Sequence, residues 1–113
     1  MPEHFYREVL LKGNGIRRYR LTVEFQDAAL APLGLFLTAE ARSFYAELKD
    51  ILKEVREGQQ PVEFSGNLGR VVISPETTVV TVPGQAEDEE KSCEIATADF
   101  ASLLEEFHER ATK

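Results

Sequence analysis

Two histidines and a single cysteine are the residues of this 113-residue sequence best suited to metal binding or nucleophilic catalysis. Glu105 and His108 have the Glu-x-x-His spacing, which puts both side chains on one face of a helix. A di-metal site of that type needs a second such pair, but the other histidine, His4, has no glutamate three residues before it. We therefore predict no metal and no other cofactor, and we interpret the pair as surface residues of an acidic helix.

Cys93 and a glycine-containing turn are the remaining candidates for chemistry. Cys93 lies in a short apolar segment, which is typical of a buried and unreactive thiol. The sequence Gly66-Asn67-Leu68-Gly69 lacks the Lys-Ser/Thr pair of a phosphate-binding loop, so we interpret it as a turn. No spacing among the many acidic residues selects a general acid and base. The sequence accordingly predicts a protein that is not an enzyme. The alternative is a pocket, for a small ligand or for catalysis, built from residues far apart in the chain.

The net charge of −7 is concentrated in the second half of the chain. Residues 1–57 hold nine basic and nine acidic side chains, whereas residues 58–113 hold four and eleven. Such a surface repels a phosphate backbone and attracts a basic protein, so we predict a basic protein partner and no nucleic acid. The simpler alternative is that the charge serves solubility alone. The carboxylates predicted to bind the partner are Glu87, Asp88, Glu89 and Glu90 in a loop, and Glu105, Glu106 and Glu109 on a helix.

Residues 28–37 form the longest apolar stretch, although a proline and a glycine interrupt it. Its ten residues are too few to cross a membrane. Either the stretch packs as an apolar connection that ends in a short strand at residues 35–37, or part of it stays exposed and is covered by another chain. The second alternative makes the protein a homodimer, or a structural or regulatory subunit, with an apolar interface at Leu33, Leu35 and Phe36.

A long amphipathic helix is predicted at the centre of the chain, from residue 38 to about residue 57. Thr38 is suited to cap its start, and Arg56 followed by Gly58 fits its end. Its apolar side chains recur with the helical period and must be covered by other elements. They are Phe44, Leu48, Ile51, Leu52 and Val55.

The segments on either side of this helix are predicted to be β-strands. Residues 4–11 and 17–26 form a hairpin about a turn at residues 12–15, whose glycines and asparagine tolerate positive φ. Three short strands between residues 62 and 82 make a meander, a last short strand follows, and Thr97 begins a second helix. The order β-β-α-β-β-β-(β)-α predicts a single α+β domain over residues 1–113, with an antiparallel sheet of about five to six strands and both helices on one face.

The expected compartment is the cytoplasm. A lone cysteine cannot form an internal disulfide, as expected of a chain kept under reducing conditions. The N-terminal sequence lacks the basic start and the apolar run of a signal peptide. We therefore expect a cytoplasmic protein that does not associate with a membrane.

The layout resembles the small cytoplasmic immunity proteins that neutralise toxins in bacterial competition systems. The resemblance rests on the amphipathic helix at residues 44–55, the meander at residues 62–82, and the sequence Cys93-Glu94-Ile95-Ala96-Thr97-Ala98-Asp99-Phe100 that leads into the last helix. It implies a non-catalytic protein-binding module, more specifically an inhibitor that meets a basic toxin through an acidic surface. Immunity proteins share no common active residues, so the resemblance assigns none here. A similar outline also occurs in bacterial α+β families without a known activity.

Overall fold

Six strands and three α-helices make up the part of the chain that the structure describes, which is residues 1–112 without the side chain of Ile16. The structure is a computed structural model. The strands are β1 (His4–Gly13), β2 (Ile16–Phe25), β3 (Val62–Ser65), β4 (Arg70–Ile73), β5 (Thr77–Pro83) and β6 (Glu90–Ala96). The helices are α1 (Ala31–Phe36), α2 (Arg42–Gly58) and α3 (Thr97–Ala111); a 3₁₀ turn at Ala28–Leu30 precedes α1, and a π-helical turn at Leu37–Ala41 joins α1 to α2. The predicted α+β class is confirmed.

The strands form two antiparallel sheets, so the prediction of a single sheet is wrong. β1 and β2 make one sheet, and β3 to β6 make the other in sequential order. The outer edge of β2 faces α1. The Val23 N–H donates to Thr38 Oγ1 at 3.5 Å, and a Cβ at Gly34 would lie 2.8 Å from the Val23 carbonyl oxygen. Because a helix occupies this edge, β2 cannot continue into a larger sheet there.

The helical segment begins earlier than predicted. The Asp27 side chain accepts a backbone N–H at 2.9 Å, which starts the 3₁₀ turn, and Pro32 fits the first turn of α1. Residues 35–37 are therefore helical, and the prediction of a strand there is wrong. Thr38 lies inside the helical run instead of capping its start. At the other end the helix stops where predicted, and Gln59 adopts the left-handed conformation with a φ of 55°.

The core lies between the four-stranded sheet and the helices. The predicted stripe on α2 faces it, since Leu48, Leu52 and Val55 are buried and the other two members are half-buried. The sheet and α3 complete the core with Val71, Ile73, Val80, Val82, Phe100, Leu103, Leu104 and Phe107, all buried. Cys93 is buried as well, and its burial raises the pKa of the thiol. The position therefore matches the predicted buried cysteine.

The β1–β2 hairpin extends beyond the core on which its base packs. The core holds its base, since Val23 is buried and the ring centroids of Tyr6 and Phe107 lie 6.3 Å apart. Beyond the base, the described side chains from residue 7 to residue 20 are exposed on both faces. We call residues 7–20 the arm. Its exposed apolar side chains include Val9, Leu10, Leu11 and Tyr19.

Candidate protein-binding site

The seven carboxylates predicted to bind a partner lie in two different places. Glu87, Asp88 and Glu89 belong to the loop between β5 and β6, whereas Glu90, which was predicted to lie in the loop, is the first residue of β6. All four line a cleft together with residues of the β3–β4 turn. Glu105, Glu106 and Glu109 lie in the second half of α3, where Glu105 contacts α2 and Glu106 contacts β1. The predicted acidic surface is thus two separate surfaces.

Glu105 is engaged within the chain. Both of its carboxylate oxygens lie 2.8 Å from the hydroxyl of Tyr45, which donates to them, and Lys49 donates to one as well. The hydrogen bonds from Lys49 and Tyr45 hold the pKa of Glu105 below its ordinary value. His108 stacks on the Tyr45 ring with centroids 3.6 Å apart, so the predicted surface pair Glu105 and His108 helps to join α3 to α2.

Glu106 is also engaged, in this case with the first strand. His4 Nε2 lies 2.7 Å from Glu106 Oε1, and His4 Nδ1 lies 2.8 Å from the carbonyl oxygen of Pro2. The hydrogen bond from His4 lowers the pKa of Glu106. Burial alone would lower the pKa of His4, but the contacts with Pro2 and Glu106 outweigh it and the pKa is raised. This pair pins the base of the hairpin to α3.

The pair predicts a pH-dependent contribution to stability. Because the folded-state pKa of His4 is above its ordinary value of 6.5, its contribution is present at lower pH and is lost as the pH rises through the folded-state value. Because the pKa of Glu106 is below 4.5, its contribution is lost as the pH falls through the folded-state value. We therefore expect His4→Gln to lower the free energy of unfolding by about 1 kcal/mol near pH 5.5 and by clearly less near pH 9.

Urea denaturation at the two pH values measures this effect. His108→Gln is the matched control, because His108 stacks on Tyr45 and lies outside the pair with Glu106. An effect of His4→Gln that is the same at both pH values would show that the ion pair does not contribute.

Of the four carboxylates at residues 87–90, two are fixed and two are free. Glu89 Oε2 accepts the backbone N–H of Ala86 at 3.1 Å. Glu90 forms a bidentate ion pair with Arg70, whose Nη2 and Nη1 lie 2.9 and 3.2 Å from the two carboxylate oxygens. Glu87 and Asp88 stand exposed at the tip of the loop, and the hydrogen bonds and ion pairs found among the described residues leave their carboxylates unused. Those two residues are the part of the predicted loop that is available to a partner.

The loop forms one wall of an open cleft of about 540 Å³. The turn between β3 and β4 also lines the cleft, and its Leu68 side chain is 42% exposed. Pro83 adds apolar surface, and Glu87 and Asp88 line the rim. An exposed apolar side chain beside free carboxylates combines an anchor with a source of electrostatic attraction. The sequence showed the carboxylates, but it did not indicate that Leu68 lines the same cleft.

A second surface, which the sequence did not predict, lies between the arm and α1. It is a groove of about 500 Å³. The strand register pairs Val9 with Arg20 and Leu11 with Arg18, so these four side chains share one face of the hairpin. Leu35 of α1 closes the groove and is 52% exposed. The face therefore combines apolar and basic side chains.

The apolar interface predicted at residues 28–37 needs a correction. Leu33 and Phe36 are fully buried, because α1 turns them towards the sheet and α3. They cannot be covered by a second chain. Only Leu35 of the three residues is exposed, so the first alternative, an apolar segment packed within the domain, holds for the other two.

Comparisons with known proteins identify no relative of this chain: no family model, no curated protein and no solved structure matches it. Within residues 1–112, no three His, Cys, Asp or Glu side chains are grouped so that they could hold a metal ion. The described helices are also too short or too polar for any of them to span a membrane.

Proposed function

We propose that this protein is a non-catalytic protein-binding module that holds a basic partner at the cleft beside the β5–β6 loop. The observation that carries the proposal is that exposed Leu68 and the free carboxylates of Glu87 and Asp88 line the same cleft. An interface needs a desolvated apolar anchor for affinity, while charges at its rim speed the encounter and orient the partner. This cleft offers both.

The charge of the whole molecule supports a basic partner. The arm holds five Lys and Arg side chains and one Glu, so the remainder of the chain carries a net charge of −11. A field of this sign attracts positive proteins at low ionic strength. Together with the resemblance to immunity proteins, it favours a basic toxin as the partner, neutralised by occlusion of its surface. The residues proposed for this contact are Leu68, Glu87 and Asp88, whereas Glu105 and Glu106 serve the fold.

The proposal is tested by affinity capture from the source cell, followed by binding kinetics with the purified partner. We expect the double variant Glu87→Ser with Asp88→Ser to slow association by about tenfold at low salt, with a smaller effect at high salt. Leu68→Ala should mainly speed dissociation, because it removes the anchor.

The matched control is Glu54→Ser with Glu57→Ser, which removes the same charge from exposed positions on α2. It should change the association rate by less than about twofold. Equal slowing by the loop and control variants would assign the effect to net charge and contradict a site at the cleft. A captured partner whose binding ignores salt and all three cleft residues would contradict the proposal outright.

A further inference from the structure

We propose that the groove between the arm and α1 is the interface of a two-fold symmetric dimer, in which the arms of two copies lie antiparallel. The inference is independent of the proposed function, because it uses a different surface. The occupant of the groove is a second copy of this chain.

The apolar side chains of the arm are not buried by any other described part of the chain. A two-stranded hairpin is marginally stable by itself in water, and it becomes stable when one face packs on another element. Here the base packs on the core, but on the groove face Val9 and Leu11 remain 37% and 46% exposed. Leu35 extends the apolar surface onto α1. A contiguous apolar patch of this kind is typical of an interaction site.

The distribution of charge on this face of the arm indicates which partner can bind in the groove. At the distal end of the groove stand Arg18 and Arg20, and at the proximal end stand Glu24 and Asp27. Glu24 pairs with Arg7 at 3.0 Å, but both side chains are about half exposed, so the bridge is weak and the carboxylate can accept a second cation. Asp27 uses one oxygen for the backbone and has the other free. Val9 and Leu11 lie opposite these arginines in the strand register, and Arg7 and Thr22 lie between the two ends. The face is thus basic and apolar at one end and acidic at the other.

This arrangement is complementary to itself when one copy is turned end to end. A two-fold axis near Thr22, midway between Arg20 and Glu24, would put the distal arginines of each copy against the proximal carboxylates of the other. Val9 and Leu11, which lie beside the distal arginines, would then face the proximal end of the other copy. A uniformly acidic protein would be attracted at one end of the groove and repelled at the other, so a second copy matches the charge pattern better.

The experiment measures the mass of the purified protein by sedimentation equilibrium and light scattering, with two charge-reversal variants. The first variant is Arg18→Glu with Arg20→Glu. The second is Glu24→Lys with Asp27→Asn, in which asparagine retains a side-chain oxygen to accept the backbone N–H. Each variant alone places like charges across both contacts of the dimer, so we expect its dissociation constant to rise by at least about tenfold.

An equimolar mixture of the two variants gives the decisive result. In the mixed dimer, the glutamates of the first variant face the lysine of the second, and the remaining contact is the native one. We therefore expect the mixture to recover the dimer. The matched control is Lys12→Glu with Arg17→Glu, which makes the same change of charge on the opposite face of the arm and should remain dimeric.

Three outcomes would overturn the inference. One is a monomeric native protein at high micromolar concentration. Another is a mixture that stays monomeric although circular dichroism shows both variants folded. The third is a control that dissociates as readily as the first variant, because the charge of the arm as a whole, not the groove, would then govern association.

Discussion

Replacing Phe36 with alanine is expected to lower the free energy of unfolding by about 3–5 kcal/mol, whereas Leu35→Ala should change it by less than about 0.5 kcal/mol. Phe36 is fully buried, and its ring centroid lies 6.3 Å from that of Phe100 on α3. Removal of the ring leaves a cavity between α1, the sheet and α3. A domain of this size has a total stability of about 5–15 kcal/mol, so the loss is a large fraction of it.

Leu35 is the matched control because it occupies the neighbouring position of the same helix with the opposite exposure. Chemical denaturation of the two variants, at a concentration low enough to keep the protein monomeric, separates burial from helix propensity. Equal losses in the two variants would show that α1 does not present Phe36 to the core, and the placement of this segment would be wrong.

The second large effect is expected for Gly66→Ala, at about 2–4 kcal/mol. A Cβ at Gly66 would overlap the carboxylate of Glu40, which is 1% exposed in the π-helical turn between α1 and α2. The carboxylate cannot move away freely, because Glu40 Oε1 accepts the backbone N–H of Leu68 at 3.2 Å. Displacing it would break this hydrogen bond and leave a buried acid without a partner.

A double-mutant cycle by urea denaturation tests this cause directly. In a Glu40→Ala background the obstacle is absent, so Gly66→Ala should cost less than about 1 kcal/mol. In a Glu40→Gln background the side chain keeps its size, so most of the cost should remain. If the loss at Gly66 is equal in all backgrounds, it comes from the backbone of the turn and the contact with Glu40 is not its cause.

The position of Glu40 also bears on the cleft of the proposed function. Its carboxylate holds the β3–β4 turn through the Leu68 backbone, and Leu68 is the exposed anchor in that cleft. A buried carboxylate in a π-helical turn therefore supports the surface proposed to meet a partner. The sequence did not indicate that Glu40 is buried, because one glutamate in a predicted amphipathic helix has no local feature that distinguishes a buried carboxylate from an exposed one.

The carboxylates of α3 show why a site is harder to predict than an element. Glu105, Glu106 and Glu109 look alike in the sequence, since they share a charge and a helix. Their partners come from elsewhere, because Glu106 meets His4 across 102 positions of the sequence and Glu105 meets Tyr45 across 60. Local periodicity carries no information on such contacts. The sequence therefore gives the number of acidic residues, but it does not identify which carboxylates are free to bind a partner.

By itself the sequence determined the elements whose pattern is regular. The apolar stripe of α2, the meander of β3 to β5 and the hairpin turn with positive φ at Asn14 and Gly15 all follow from local rules of period and turn chemistry. Only the tertiary structure decided how these elements share the core. It split the strands into two sheets by placing α1 on the edge of β2, and it buried Leu33 and Phe36 while exposing Leu35. The physical reason is that burial and strand pairing depend on which surfaces compete for the same space, and that competition involves residues far apart in the chain.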